Sequence, residues 1–445
     1  MSDMLGIGAS GVRAYQSALN TTSENIANAG TAGYVRRTTQ VREIASPSFA
    51  DARLNGSGVA IDGVVRSGDA IRSAEVRNAG ADLARSEASV TWLARIEGAL
   101  TGNQLGERLT AFFNSAKAVA ADPAAVAPRA AMLESAAALA SAFSATGAAL
   151  AGAAADLDTS ADAAVDALNN LATSLAKVNG GIGPTMPGTS GHAAMLDERD
   201  RLLEAMSALT DIHVSVDSAG RAAVRAGGAA GPVLIDGTSA GIVTCVGNGE
   251  GALSFAVHRS GEIQTLVPAA GALAGTAEGA QRIAAARAEL DLLATAFIDG
   301  ANAVQASGQD LDGQQGMPLF TPGETPAQIT VALHDPRGIA AALPGGGTRD
   351  NGNLAGFEAL RSDAGFENRV TTLITSNASA LSGRRSVAEA QATMRDNAVA
   401  VRDAGAAVNL DEEAVDLIRF QQAFQASGRV IQVARETLQA ILDIR

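Results

Sequence analysis

Cysteine is almost missing: one Cys245 in 445 residues rules out an intramolecular disulfide and any zinc site built from several thiolates. Aromatic residues are scarce too, at 3% of the chain with a single Trp. Thin, close-packed helical contacts between small side chains are therefore expected instead of a deep catalytic pocket. Positive charge is in deficit: 33 Lys and Arg against 47 Asp and Glu give a formal net charge of -14, which repels phosphate backbones and anionic lipids and speaks against nucleic acid as a partner. The basic cluster Arg36, Arg37 and Arg42 has Glu43 beside it and no aromatic platform beyond Tyr34, and reads as a solvated face. The first twenty residues lack the charged start, apolar core and cleavage site of a secretory leader. No 18-residue apolar run stands out, because Asp, Glu, Arg and Pro interrupt the Ala-rich stretches, so membrane insertion is not expected.

What is present is alanine, and 47% apolar residues overall, enough for real cores in about two to four domains. Near the N-terminus Leu5, Val12, Leu19 and Ile26 recur one heptad apart, the pattern of a coiled-coil seam that stops at the glycines of 29–33. The C-terminus repeats the design with Leu410, Leu417, Phe424, Ile431 and Leu438, flanked by Phe420. Asn409 followed by Asp411, Glu412 and Glu413 supplies a cap and acids for a helical first turn. Two short amphipathic helices cannot each bury a stripe alone, so they are expected to pack on one another with the rest of the chain looped out between them.

Between the ends, 74–209 carries a helical rhythm, read as four or five helices with breaks at Gly98 and Gly102, Asp122-Pro123, Gly147 and Gly152, and 180–191. From 211 to about 268 the period changes to two, as in His213-Val214-Ser215-Val216, which predicts a small inserted β domain. Helices return over 280–305 and from about 353 onward, with one strand at 329–333. The fold class expected is mainly α with a small inserted β domain, in a nested plan. Residues 1–45 pair with 400–445 as a terminal coiled coil, 46–210 with 276–399 form a helical rod, and 211–275 form the β module.

Motifs that resemble chemistry fail in context. Gly6-Ile7-Gly8-Ala9-Ser10-Gly11 spells the dinucleotide fingerprint, but five residues cannot supply the strand that feeds such a turn; a Gly-loosened helix start is the alternative. Gly237-Thr238-Ser239-Ala240-Gly241 spells a nucleophile elbow around Ser239, yet a strand leaves it where a helix is required, which suits a hairpin. Asp310-Leu311-Asp312-Gly313 lacks the later ligands of a calcium loop and reads as an Asp/Gly turn. His192, His213, His258 and His334 are scattered without ligand spacing. The run Asp197-Glu198-Arg199-Asp200-Arg201 alternates in sign and reads as an exposed helix face. No catalytic, cofactor or metal residue is assigned, and no enzyme activity is expected.

Asn25-Ile26-Ala27-Asn28 leading to Thr31-Ala32-Gly33-Tyr34 resembles the N-terminal signature of flagellar rod, hook and hook-associated proteins, with Glu24 where the pattern has Asn and Ala32 where it has Pro. Val408-Asn409-Leu410-Asp411-Glu412-Glu413-Ala414 and Phe420-Gln421-Gln422-Ala423-Phe424 look like the C-terminal signature, Phe420 and Phe424 replacing tyrosines. Met195 to Leu203, Asp122-Pro123 with Arg129 and Leu133, and Gly308 to Gly313 near Phe320 resemble the hook-associated protein 1 family in particular. That resemblance implies a structural part of the flagellum, joining hook to filament by self-assembly into a short tube, with Leu5, Val12, Leu19, Ile26, Asn28, Tyr34, Leu410, Leu417, Phe420, Phe424, Ile431 and Leu438 at the assembly interface. It implies as partners further copies of the chain, the hook protein, the second junction protein (hook-associated protein 3), flagellin, and an export chaperone on the C-terminal helix. It implies export to the cell exterior through the flagellar type III apparatus without a cleaved leader, and hence ends that stay disordered in the monomer. A hook or distal-rod subunit is the alternative within the superfamily; a soluble hydrolase using Ser239 is the alternative of another class.

Overall fold

The structure, a computed structural model, describes residues 2–31, 33–44, 58–248 and 251–443. The described residues are mostly helical, with small β-sheets beside the helices. The order begins with α1 (Ser2–Asn28), a hairpin of β1 (Arg37–Glu43) and β2 (Val59–Arg66), then four helices: α2 (Ala70–Thr101), α3 (Leu105–Ala121), α4 (Val126–Ile182) and α5 (Ser190–Leu209). Seven strands follow: β3 (Ile212–Val216), β4 (Ala222–Ala226), β5 (Val233–Asp236), β6 (Ser239–Ala240), β7 (Ile242–Gly247), β8 (Leu253–Arg259) and β9 (Glu262–Leu266). After α6 (Gly271–Ser307) comes a turn-rich stretch holding β10 (Phe320–Pro322) and β11 (Ile329–Val331), and then α7 (Ala355–Ala364), α8 (Phe366–Ala406) and α9 (Leu410–Leu442).

The helix α4 runs 57 residues through Gly147, Gly152 and Gly180, where breaks are expected from the sequence. Each glycine costs about 1 kcal/mol against alanine in a helix, and a buried stripe of Leu139, Phe143, Leu150, Leu157, Leu168 and Leu175 outweighs that. Gly147 has a packing reason, since a Cβ there would stand 3.1 Å from that of Ala327. This helix also corrects the expectation about apolar runs: by length and composition it could cross a membrane. Alanine raises its hydropathy without bulk, and its larger apolar residues face the core.

The few aromatics are concentrated, not dispersed. Seven of eleven Phe residues meet in one core built by α3, α4, α6, α7 and the start of α8. Phe297 lies at its centre with Phe112, Phe113, Phe320 and Phe366 at 5.2–6.2 Å between ring centroids. A second core joins the strands to helices: Val224, Leu234, Phe255 and Val257 pack on Leu168 and Leu175 of α4 and on Leu202 and Met206 of α5. The strands form two antiparallel sheets, β3-β4-β5-β6 and β7-β8-β9. Asn169 of α4 covers the β7 edge, donating to the Val243 carbonyl at 2.9 Å and accepting from its N–H at 2.7 Å.

Candidate functional site: the joint at the base of the terminal helices

The two ends of the chain lie antiparallel against each other. Gly8 faces Ile431, Gly11 faces Ser427, the Tyr15 and Phe420 rings stand 6.4 Å apart, and Asn25 reaches Glu413. Contact is made by the small face of α1: Gly8, Gly11, Ala14, Ala18, Thr22 and Asn25 are buried. A Cβ on Gly8 would come within 2.8 Å of Ile431 Cγ1, and one on Gly11 within 2.7 Å of Ser427 Oγ. The fingerprint-like glycines thus lie inside a helix, where Gly8 and Gly11 serve close approach of α1 to α9 and Gly6 faces open space.

The heptad positions fall beside this face. Leu5, Val12 and Leu19 are half-buried and Ile26 is exposed. On α9, Leu417, Phe420, Phe424 and Ile431 are half-buried on the side facing α1, whereas Leu410 and Leu438 are exposed. Asn28 closes α1, its amide donating to the Glu24 carbonyl at 2.9 Å. Ala32 lies outside the described residues.

Below the helix pair sits a polar network that ties both ends to the body. The Asn25 amide, 1% exposed, donates to Glu413 Oε2 at 3.0 Å and to the Arg37 carbonyl at 2.8 Å. Its oxygen accepts from the Tyr34 hydroxyl at 2.9 Å and the Arg37 N–H at 3.0 Å, so all its polar capacity on both sides is used. Glu413, also 1% exposed, accepts from Arg36 Nε at 2.7 Å, and that hydrogen bond holds the Arg36 guanidinium above its ordinary pKa. Arg36 further neighbours Glu412 and Asp416 at 3.6 Å, and its N–H donates to the Ala406 carbonyl at 2.8 Å. Burial first, with Glu24, Asp197 and Glu413 adding and Arg37 opposing, pushes the Tyr34 phenol up to about 12.

A second tier connects this network to α5 through the β1–β2 hairpin. Arg37 donates to Asp197 at 2.8 Å, Arg66 pairs with Asp197 at 2.8 Å and with Asp200 at 2.9 Å, and Arg199 donates to Asp200 at 2.6 Å. Burial raises the Asp197 carboxyl above its ordinary range despite both guanidiniums. The hairpin crosses the 183–189 turn at two glycines, Gly63 (φ +140) and Gly188 (φ +79), where the Val64 N–H donates to the Gly188 carbonyl at 2.7 Å. A Cβ on Gly63 would meet Gly188 Cα at 2.8 Å. Between hairpin, α5 and the end of α8 lies a cleft of about 740 Å³ lined by Tyr34, Arg66, Arg77, Asp200, Arg402 and Asp403 among others.

Two readings from the sequence are thereby corrected. Arg36 and Arg37 are not a solvated face: they are held by acids more than 150 residues away, and only Arg42 stays exposed, beside Asp62. Residues 197–201 are not simply an exposed face either. Glu198 and Arg201 pair at i, i+3 in solvent, but Asp197 and Asp200 receive the hairpin arginines. The β1–β2 hairpin adds two strands outside the expected β module, and Val59-Ala60-Ile61 and Val64-Val65 carry its strand signal. Elsewhere, Ser239 pairs with Asp236 across the β5–β6 hairpin. Asp310 accepts from the Asp312 and Gln314 N–H groups in a local turn. Cys245 is half-buried, its thiol pushed up to about 11 by burial and then by Asp162 and Asp158.

Comparison with known proteins adds to this geometry. Residues 93–320 match the family described as flagellar hook-associated protein FlgK helical domain. Residues 5–34 match the flagella basal body rod protein model, and residues 404–444 the C-terminal model of flagellar basal body rod FlgEFG proteins, so the two ends that meet at the joint carry matching assignments. Flagellar hook-associated protein 1 of Salmonella typhimurium is 28% identical over 335 residues, 73% of this chain and 60% of that protein. Flagellar hook-associated protein 1 of Bacillus subtilis is 24% identical over 97% of this chain and 96% of its own length. The chain thus aligns with about 60% of the length of the Salmonella relative. The structure of the flagellar hook junction protein FlgK from Burkholderia pseudomallei shares the fold with a TM-score of 0.51 at 22% identity, covering 56% of this chain and 47% of that one. With half of its length matched by the helical-domain model and both ends by rod-protein models, the chain belongs to the flagellar hook-associated protein FlgK family.

Proposed function

We propose that the chain is a structural component of the bacterial flagellum that joins hook to filament by assembling, in several copies, into a short tubular zone. The observation that carries this reading is the unfinished packing of the terminal pair. After α1 and α9 have met, Ile26, Leu410, Val415, Ile418, Val433 and Leu438 remain 36–65% exposed, more apolar surface than a solitary helix pair keeps in water. Neighbouring copies packed side by side would cover it, with Leu5, Val12, Leu19, Leu417, Phe420, Phe424 and Ile431 completing a coiled-coil wall toward the channel. In this nested plan 1–45 with 400–445 form the inner layer, 46–210 with 276–399 the rod-like layer, and 211–275 an outward β module. The hook protein would lie on one side, and the second junction protein and flagellin on the other. Before assembly the same surface would need temporary cover by an export chaperone on α9, and the ends would stay disordered until the chain, exported through the type III apparatus, reaches the tip.

The rod-protein matches at both ends also suit a hook or distal-rod subunit. Immunogold labelling of isolated flagella separates the two. A single narrow band between hook and filament is expected here; label distributed along the hook or rod refutes the junction role.

A further inference from the structure

The two halves of α8 are held differently. The upper half is pinned: Phe366, Val370 and Leu381 are buried, the Asn377 amide donates to the Leu93 carbonyl of α2 at 3.0 Å, and Arg384 donates to Glu278 of α6 at 3.0 Å. Below Arg384 the pins stop. No residue between Leu381 and Ala406 is buried, and among the described residues no side-chain hydrogen bond or ion pair joins residues 385–400 to another element. Val387, Met394 and Val401 are 43%, 64% and 51% exposed, so the bulkier apolar side chains of this stretch do not key α8 into α2.

At its lower end α8 is held again, by two polar contacts. Arg402 donates to Glu204 of α5 at 2.9 Å, and Arg72 of α2 donates to the Val401 carbonyl at 3.3 Å. Just beyond them the Ala406 carbonyl accepts from the Arg36 N–H, which couples the end of α8 to the terminal pair. The helix from Arg384 to Ala406 is about 33 Å long, so a tilt of about 10° about the pinned half moves its end by about 6 Å. That distance breaks both polar contacts, and the cleft of about 740 Å³ beside the joint gives the end room to move: Arg402, Ala406 and Val408 line it together with Glu204, Ala205 and Ala208 of α5.

Arg77 of α2 lines the same cleft. Its guanidinium is half-buried and makes no hydrogen bond or ion pair among the described residues. The other arginines of the cleft each have an acid: Arg66 has Asp200, Arg201 has Glu198 and Arg402 has Glu204. Burial holds Arg77 below its ordinary pKa, and the acids that act on it through space are Asp200 and Glu204. A partly desolvated cation without a partner costs stability; Arg77 gains one only if Glu204 is released by Arg402.

We propose that residues 385–406 of α8 are a lever: when the terminal pair is loaded, the lower end of α8 tilts within the cleft, Arg402 leaves Glu204, and Arg77 takes that carboxylate over. Glu204 then has a cation in both positions, which keeps the two close in energy. The lever rests on the junction role proposed above for its load, and it states how one subunit gives under that load.

Two measurements test it. In the purified full chain with Cys245→Ser, spin labels on Asn78→Cys and Met394→Cys report the lower half of α8 against α2, and labels on Thr91→Cys and Thr375→Cys report the upper half. Double electron–electron resonance should give two distances for the lower pair and one narrow distance for the upper pair; equally narrow distances for both overturn the lever. Arg77→Met should remove the second distance while the chain unfolds at the same or a higher denaturant concentration than wild type. A lower midpoint with the second distance retained makes Arg77 a structural residue and overturns the handover. In cells, Arg77→Met should reduce filament retention under shear by roughly fivefold or more; retention at the wild-type level also overturns the handover and leaves the junction role intact. Filaments retained by cells that lack the chain altogether would overturn the junction role, while the two distances in the purified chain would still stand.

Discussion

Removing the Glu413 carboxylate is the sharpest perturbation of the joint. In Glu413→Ala the Arg36 Nε bond at 2.7 Å and the Asn25 amide bond at 3.0 Å are lost together. A hydrogen bond to a charged group contributes about 1.5 to 3 kcal/mol. The Arg36 side chain is 24% exposed and retains Glu412 and Asp416 at 3.6 Å, so its share belongs near the lower end. Asn25 is fully buried but still donates to the Arg37 carbonyl. Together these give about 2 to 4 kcal/mol per copy, or roughly 30- to 1000-fold in the equilibrium between docked and undocked ends. Glu413→Gln keeps an acceptor for Asn25 and should cost about half as much. The assay has two arms: filament retention under graded shear in cells carrying each variant, and denaturant unfolding of the purified chain. Retention should fall in the order wild type, Gln, Ala, with unfolding of the body shifted by less than about 0.5 kcal/mol. Normal retention in Glu413→Ala cells, or loss of body stability in place of retention, would refute the assignment of Glu413 to the docking of the ends.

Four further outcomes follow from the geometry. Gly11→Val should abolish filament attachment, because its Cβ meets Ser427 Oγ at 2.7 Å and its methyl groups have nowhere to turn, whereas Gly11→Ala should be rescued by Ser427→Gly; attachment by Gly11→Val removes the close-approach argument. In Tyr15→Phe, Tyr34 is the single remaining tyrosine and reports joint closure. The neutral phenol is favoured in the docked state, so docking contributes stability below pH 10 that is lost as pH rises through about 12; free chains with open ends should titrate near 10 at 295 nm, and a value near 12 means the joint is already closed. Glu278 keeps a lowered carboxyl because its hydrogen bonds to Arg85 and Ser89 and the charges of Arg85 and Arg384 outweigh its burial. It therefore contributes stability above pH 4.5 that is lost as pH falls through its lower folded value, and Glu278→Gln should flatten the acid limb of a stability-against-pH curve. Phe297→Ala, at the centre of the ring cluster, should cost about 3 to 5 kcal/mol in urea unfolding, and a change below 1 kcal/mol would place the core elsewhere.

Regular periodicity made much of the fold legible. The 3.6-residue rhythm located the helices of 74–209 and the change to period two located the strands near 213 and 255, because both depend on local patterning. What local patterning cannot encode is which distant charges meet. Arg37 and Asp197 are 160 residues apart, and each sits among residues of mixed sign that suit a solvated face equally well. The apolar heptads drew attention to Leu5 and Leu19, but the contact face of α1 is made of Gly8, Gly11, Ala14 and Ala18, since two helices approach most closely through their smallest side chains. Asn25 and Glu413 lie within the terminal motifs, where nothing local marks them as partners. Their roles depend on an antiparallel register that appears only when both ends are placed together. The rings were similarly few enough to suggest a thin core, yet composition gives a number and not a location, and most of the Phe residues meet around Phe297.

Deleting residues 424–445 removes Phe424, Ile431, Ala434 and Leu438 from α9 while sparing Glu413 and the body. Electron microscopy of such cells, with an immunoblot for flagellin in the medium, should show complete hooks without filaments and flagellin shed outside. Filaments of normal length on those hooks, or the absence of hooks altogether, would contradict the claim that the paired ends build the seat on which the filament stands.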